Sequence, residues 1–554
     1  MALVAAAGIG SLALGQDANW DLQNYHYYNP WAWWHDRTFT RDVAAAQLQT
    51  FHNPLLDLPF YALVSAGVGP RVIAFVLAVP AAIAAFVLCK LSLLLFSELP
   101  RAQRTVAVAC SAAVGTTSAM GIGALANTMN EWPLTALLML ALWLVARAAV
   151  RGEGRAIAAR TLLIAGALVG IAAGAKLTAG IFAVGLGAAV LGRGPYAWRD
   201  APGRVAEAGW FALGAIAGSA IALGPWAYSL WTHFGNPVFP YFNQWIQSPW
   251  WEQRAVPMPH VFGPRTLAQW AALPFTLGDP PLFYVAEVPY RDGRFPLTTA
   301  LALAGGAAWF VRRSRGGAAR ASAAAPAADA GIRAAWRIVA LFVVVSFVVW
   351  AGCFGIYRYL LILDVLTGLL VVGLLRVLAR PRIAIGAAVL ATAVLMVNTR
   401  VADWGRVEFG ERWFEIRVPQ PRVDDGALVL ITTGGAVSYL IPLLPRGSRY
   451  VAVLNTVVDP AHPTRLTETV DEIVRTHPGA LYQLTYPLTE GAHLLPALGL
   501  ARTTACAVII TNMPTSPLEL CRLVRVQTLP GARAPTRRIE GSIPVPGPGP
   551  TTSG

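Results

Sequence analysis

A polytopic α-helical membrane protein with a small C-terminal α/β domain is the fold class this chain predicts, on three observations. Of 554 residues, 56% are hydrophobic and only 13% charged, whereas soluble domains carry charge nearer a quarter of their length. The apolar residues gather into runs of membrane-helix length. The basic residues lie mostly between those runs, in alternate loops, as the positive-inside rule describes. The net charge of +14 is therefore explained by loops at a membrane surface, and nucleic acid is not needed as a partner.

The first run, 2–15, is shorter than the roughly 20 residues a comfortable span needs. It lacks a basic n-region and reads as a first transmembrane helix, with a degenerate signal peptide as the alternative. A loop follows that is dense in aromatics, WDLQNYHYYNPWAWWHDRTFTRDVAAAQLQTFHNPLLDLPFY, from Trp20 to Tyr61. Trp and Tyr favour the level of lipid headgroups. Further apolar runs lie at 68–96, 106–125, 132–150, 161–174, 177–191, 205–231, 297–310, 338–353, 359–375 and 383–397. With the first they make about 11 transmembrane helices, several short enough to lie obliquely. GIGAL and LTAGIFAVGLG read as small-residue faces for close helix packing, not as nucleotide loops, because no strand precedes them.

Charge then sorts the loops onto two sides. One carries Arg101 and Arg104, Arg147 to Arg160, Arg193 to Arg204, Arg312 to Arg337, and Arg376 to Arg382, and is read as cytoplasmic. The other receives the loops 17–60 and 232–296, the Asn130-Glu131 corner, Lys176, the Tyr357-Arg358 corner and everything after 397. The stretch from Arg312 to Arg337 is Ala-, Gly- and Arg-rich and reads as a mobile linker. The domains expected are a membrane domain over 1–400, an extracytoplasmic α/β domain over 401–536 and a disordered tail over 537–554. In the α/β domain ALVLITT, YVAVLNT and CAVIIT read as strands and TRLTETVDEIVRTH as a helix. Cys506 and Cys521 fall in two of its strand-like segments, as a disulfide or as two core thiols.

The candidate chemistry centres on the aromatic loop. Asp21, one residue past Trp20, reads either as a base taking an acceptor's hydroxyl proton or as the N-cap of a helix starting at Leu22. Asp36 and Asp42 beside Arg37 and Arg41 read as surface ion pairs. Asp57 caps a turn or lines the site, and interfacial hydrogen bonding is expected of His26, His35 and His52. Lys176, amid small residues, reads as a ligand for a lipid phosphate or as a snorkelling cation. Arg358 invites the same choice, and Asp364 deeper in that run needs a partner. Arg291, Asp292 and Arg294 bind phosphate or sugar, or anchor a loop. No glycine-rich phosphate cradle is present, which leaves a donor delivered by the lipid phase.

The acid-bearing aromatic loop after the first run, GAKLT, FGNPVFPYFN and YRYLL together resemble the GT-C superfamily of glycosyltransferases, multispanning enzymes that use polyprenyl-phosphate sugars. The resemblance covers roughly 1–400. It implies Asp21 as the catalytic acid of the first outer loop and Lys176 and Arg358 at the carrier phosphate, while Tyr25, His26, Arg291 and Arg294 are further candidates for substrate contacts. It places Glu131 where some relatives keep a metal-associated acid, which makes Glu131 the candidate ligand for a divalent metal. Membrane lipids, a polyprenyl-phosphate sugar and an acceptor glycan, lipid or protein are the partners implied, on the outer face of a bacterial inner membrane. The alternatives are a flippase for lipid-linked sugars, a non-catalytic envelope assembly protein, and a glycoside hydrolase pairing Asp21 with Asp36 or Glu131.

Overall fold

The computed structural model describes residues 1–152, 156–194, 201–256, 262–314, 327–417, 423–487 and 491–526 and is mainly helical. Its contacts divide the chain into two compact units. One comprises Met1–Ser11, Phe75–Gly224 and His260–Trp404, the other Leu12–Ala74, Pro225–Pro259 and Gly405–Gly554. Trp404 and Gly405 fall in different units, and the aromatic loop and a portion of the long loop group with the C-terminal segment.

Within the first and larger division lie most of the apolar helices. Among the described residues of the whole chain six helices are long and apolar enough to cross a membrane: Pro70–Leu95, Glu131–Arg151, Pro202–Phe234, Ala330–Cys353, Tyr357–Leu378 and Pro381–Asn398. Four shorter apolar helices are Ala2–Leu14, Leu55–Ser65, Ala159–Ala175 and Leu177–Gly192. The expected run over 106–125 is broken: a helix Arg101–Thr116 ends and a new turn, Ala119–Gly123, starts with Ser118 Oγ accepting from Gly121 N at 2.9 Å. Of the expected linker, 315–326 lies outside the described residues, while the flanking stretches belong to the helices Arg294–Ser314 and Ala327–Cys353.

Small residues set how closely these helices approach. A Cβ on Gly166 or Gly170 would lie 2.1 Å from the Phe211 or Ala215 carbonyl oxygen, and one on Gly214 or Gly218 would lie 2.2 Å from that of Leu163 or Ala167. The helices Ala159–Ala175 and Ala201–Phe234 therefore touch backbone to backbone, as membrane helices do where lipid supplies no hydrophobic drive to pack. The two small-residue motifs pack likewise: a Cβ on Gly123 would meet the Ala402 oxygen at 2.3 Å and one on Gly185 the Ser346 Oγ at 2.0 Å.

Arg376 pairs with Glu98 within this unit, and Arg193 pairs with Glu207 across a single loop. At the other helix ends Tyr357 N donates to Val285 O at 2.7 Å, and Arg291 and Arg400 exchange backbone hydrogen bonds.

In the second unit a six-stranded sheet runs in the order β3-β7-β8-β6-β4-β5. Its strands are β3 (Ile416–Arg417), β4 (Leu428–Ile431), β5 (Arg449–Ala452), β6 (Leu481–Thr485), β7 (Leu500–Thr511) and β8 (Leu518–Arg525), and a separate pair joins β1 (Gln16–Asp17) to β2 (Arg406–Val407). β4 is parallel to β5 and β6, and β8 is antiparallel to β6 and β7. The helix Arg465–Thr476 covers the crossover from β5 to β6, burying Leu466, Val470, Ile473 and Val474 on one face at helical spacing. Cys506 and Cys521 face each other across β7 and β8 and form a disulfide. The exposed edge of β5 is closed by the aromatic loop: Val43 N donates to Tyr450 O, and Ala452 N to Val43 O. Covering an edge strand in this way removes a row of unpaired backbone groups. The expected tail over 537–554 lies outside the described residues.

Candidate functional site

The loop after the first helix starts with Gly15 at φ +89° and the short strand pair β1-β2. Asn19 then begins the next turn: its Oδ1 accepts from Leu22 N at 2.8 Å. Asp21 sits immediately before the helix Leu22–His26, buried, and its carboxylate makes no capping hydrogen bond. The capping role foreseen for Asp21 therefore belongs to Asn19. Asp17, which sequence reasoning passed over, is a second buried acid here, accepting from Asn19 Nδ2 at 2.8 Å on both oxygens. Its position just past the apolar run was the available signal.

Tyr25 and His26 are both buried, their rings 4.0 Å apart. His26 Nδ1 lies 2.8 Å from Asp57 Oδ1, so Asp57 orients a histidine rather than capping a turn. Tyr25 also meets the His52 ring edge-on at 5.3 Å, and His52 Nε2 bonds Tyr241 Oη at 2.9 Å.

Arg37 and Asp42 are not a surface pair. Arg37 Nε and Nη2 reach the two Asp42 oxygens at 2.9 and 2.7 Å, and its remaining donors go to the carbonyls of Arg446 and Ser448 at 2.7 Å. Asp42 also accepts from Tyr28 Oη and Tyr450 N. Burial, then the Asp42 charge, holds the Tyr28 phenol well above its usual pKa. This network ties the aromatic loop to the sheet, and Asp36 stands outside it.

The larger unit gathers a separate set of charges at helix ends. Lys176 follows the helix Ala159–Ala175, Glu131 opens Glu131–Arg151, and Arg358 lies in the turn before Leu361–Leu378. Lys176 Nζ donates to Glu131 Oε1 at 2.7 Å and to Met129 O at 3.0 Å. Both Lys176 and Arg358 lie against the ring of Tyr359, 5.1 and 5.4 Å from its centre. Arg358 is 5.4 Å from the Trp404 ring and 3.7 Å from Glu287 Oε1, longer than a charge-assisted hydrogen bond. The crevice below, lined by Thr135, Thr178 and Phe182 as well as Glu131, Arg358 and Tyr359, has about 10 Å³ of free space. That is room for about one water.

Glu131 is the counter-ion of Lys176. Among the described residues no group of three or more His, Cys, Asp or Glu is placed to hold a metal ion.

Arg291 and Arg294 also resolve as anchors. Arg291 pairs with Asp279 at an exposed site. Arg294 is wholly buried and donates to both Asp292 oxygens, Val114 O, Thr117 Oγ1 and Thr399 Oγ1 at 2.7–2.9 Å. With those donors committed inside the protein, Arg294 is removed from the substrate contacts. Asp364 is likewise held, by Tyr357 Oη at 2.7 Å.

The structure thus brings Lys176, Arg358 and Glu131 together in one unit and Asp21, Tyr25 and His26 in the other. The class of protein defined is a mainly helical one with helices able to cross a membrane and a small mixed sheet near its C-terminal end. Compared with known protein families, curated proteins and solved structures, the chain matches none.

Proposed function

We propose that this protein is an integral membrane glycosyltransferase of the GT-C kind. It moves a sugar from a polyprenyl-phosphate carrier to an acceptor on the outer face of a bacterial inner membrane, on a chain that crosses the bilayer about 11 times. The observation that carries the reading is the convergence of Lys176 and Arg358, from distant regions of the sequence, on the face of Tyr359 at the ends of apolar helices. Cations at such a level meet the phosphate of a lipid-borne donor, and guanidinium matches it with two hydrogen bonds.

In the reaction an acceptor oxygen attacks the anomeric carbon as the bond from that carbon to the carrier phosphate breaks. The leaving phosphate gains negative charge, which Lys176 and Arg358 offset. The acceptor proton goes to a carboxylate acting as general base, and Asp21 is the residue that the GT-C resemblance assigns to that role. A single displacement of this kind inverts the anomeric centre.

The test is to incubate the purified protein with a panel of polyprenyl-phosphate sugars and to detect released lipid phosphate. Wild type releases it, and Asp21→Asn and Arg358→Gln lose on the order of a hundredfold or more. Undiminished release by Asp21→Asn removes that residue as the base. No release from any donor removes the enzyme and favours transport of lipid-linked sugars or a role in envelope assembly.

A further inference from the structure

The second unit contains a cavity of about 480 Å³ that the transfer chemistry does not use. Its size is that of small-ligand sites, which run from about 300 to 1,000 Å³. Tyr27, Trp31, Tyr61 and Trp413 contribute aromatic walls, and Arg412 and Arg446 contribute charge. No carboxylate is among the lining residues, and among the described residues neither arginine forms an ion pair.

Two further facts point to a polar occupant. Trp31 and Trp413 are each 2% exposed, and neither indole N–H has a hydrogen-bond partner. A buried donor left unmade costs about 1–3 kcal/mol, and both indoles belong to residues that line the cavity. Tyr27 adds a third polar group: burial, with Tyr61 next, pushes its phenol up to about 12, so it stays protonated at neutral pH.

Flat aromatic faces, several N–H and O–H donors and a positive rim suit a ring with an apolar face, acceptor oxygens at its edge and one negative charge. We propose that this cavity binds a saccharide that carries a carboxylate or a phosphate. The site is read by binding, without turnover, so it stands or falls apart from the glycosyl-transfer reading.

The experiment titrates the purified full-length protein in lipid nanodiscs with glucuronate, glucose 1-phosphate, glucose, inorganic phosphate and lysophosphatidate, following tryptophan fluorescence and heat. Glucuronate and glucose 1-phosphate saturate and change the fluorescence, while glucose binds at least about tenfold more weakly, the worth of one charge-assisted hydrogen bond. Arg412→Gln with Arg446→Gln, both at exposed positions, lowers the anionic-sugar affinity by a similar factor, Trp413→Phe reduces the fluorescence change, and Arg358→Gln leaves both unaltered. Equal binding of glucose overturns the proposal. So does inorganic phosphate binding as tightly as glucose 1-phosphate, saturation by lysophosphatidate alone, or sugar binding that is lost with Arg358 and kept without Arg412 and Arg446.

Discussion

Asn19 Oδ1 accepts the Leu22 amide at 2.8 Å, while Asp21, two residues nearer that amide in sequence, leaves the cap alone. The local sequence ANWDLQ offers two side chains able to cap one turn, and the backbone chooses the earlier one. Asn19→Ala is therefore expected to cost about 1 kcal/mol, the usual worth of an N-cap. Asp21→Asn keeps the side chain's size and removes no cap, so it is expected to lower the melting temperature less than Asn19→Ala does. Thermal melts of the two variants in one detergent check this, and the opposite order of effects would return the cap to Asp21.

Lys176 and Glu131 invite a double-mutant cycle. Glu131 is almost fully buried, and Lys176 is about one-fifth exposed. Glu131→Gln strands a partly buried cation and is expected to destabilise by about 2 kcal/mol, in the range for hydrogen bonds to charged groups. Lys176→Met alone strands the buried carboxylate and is expected to cost more. The double variant is expected to cost less than the sum, because neither charge is then left without its partner. Additive losses in chemical or thermal unfolding would show that the pair is not energetically coupled.

His477 carries a pH prediction. Burial, together with Arg449 and Arg525 nearby, lowers its pKa below the ordinary histidine value, against a hydrogen bond with Gly426 that raises it. The unfolded chain then takes up a proton at a pH where the folded protein does not. Stability due to this group is present above the unfolded value of about 6.5 and is lost as pH falls through it. Melts between about pH 7 and pH 5 are expected to decline less steeply in His477→Gln than in wild type. Equal slopes would remove His477 as a contributor.

Much of the second unit was legible because its signals are local. TACAVIIT and LCRLVRV are short apolar, β-branched-rich runs of the kind strands favour, and they form β7 and β8 with Cys506 opposite Cys521. TRLTETVDEIVRTH shows helical spacing and folds as the helix Arg465–Thr476. What escaped was non-local. Val43, near the start of the chain, closes the edge of β5 through Tyr450 and Ala452, near its end, and no periodicity encodes that. Arg37 and Asp42 read as surface charges because a loop has no face to label as inward. The apolar runs read from hydropathy include six helices of crossing length and four shorter apolar ones among the described residues, because composition alone does not fix where a helix ends. At the candidate site, Lys176 and Arg358 were visible as isolated cations, but their common neighbour Tyr359 and the counter-ion Glu131 were not.

The last prediction concerns the crossing of Ala159–Ala175 with Ala201–Phe234. Gly170 has no room for a methyl group: a Cβ there would lie 2.1 Å from Ala215 O and 2.8 Å from Ser219 N, both backbone atoms that cannot rotate away. Ser219 Oγ also donates to Gly170 O at 3.0 Å, so separating the helices breaks a hydrogen bond as well as packing. Gly209 and Gly224, on the second of these helices, have nothing within 4 Å of a Cβ. Alanine favours helix over glycine by up to about 1 kcal/mol, so Gly209→Ala and Gly224→Ala are expected to be neutral or stabilising. Gly170→Ala gains the same propensity yet must push the two helix backbones apart, and overpacking of this kind costs about 1–3 kcal/mol. It is expected to lower the melting temperature of the purified protein, and Gly170→Val to lower it further. If Gly170→Ala melts with the two controls, the helices do not cross at these glycines, and the small-residue spacing in ALVGIAAGAK has another cause.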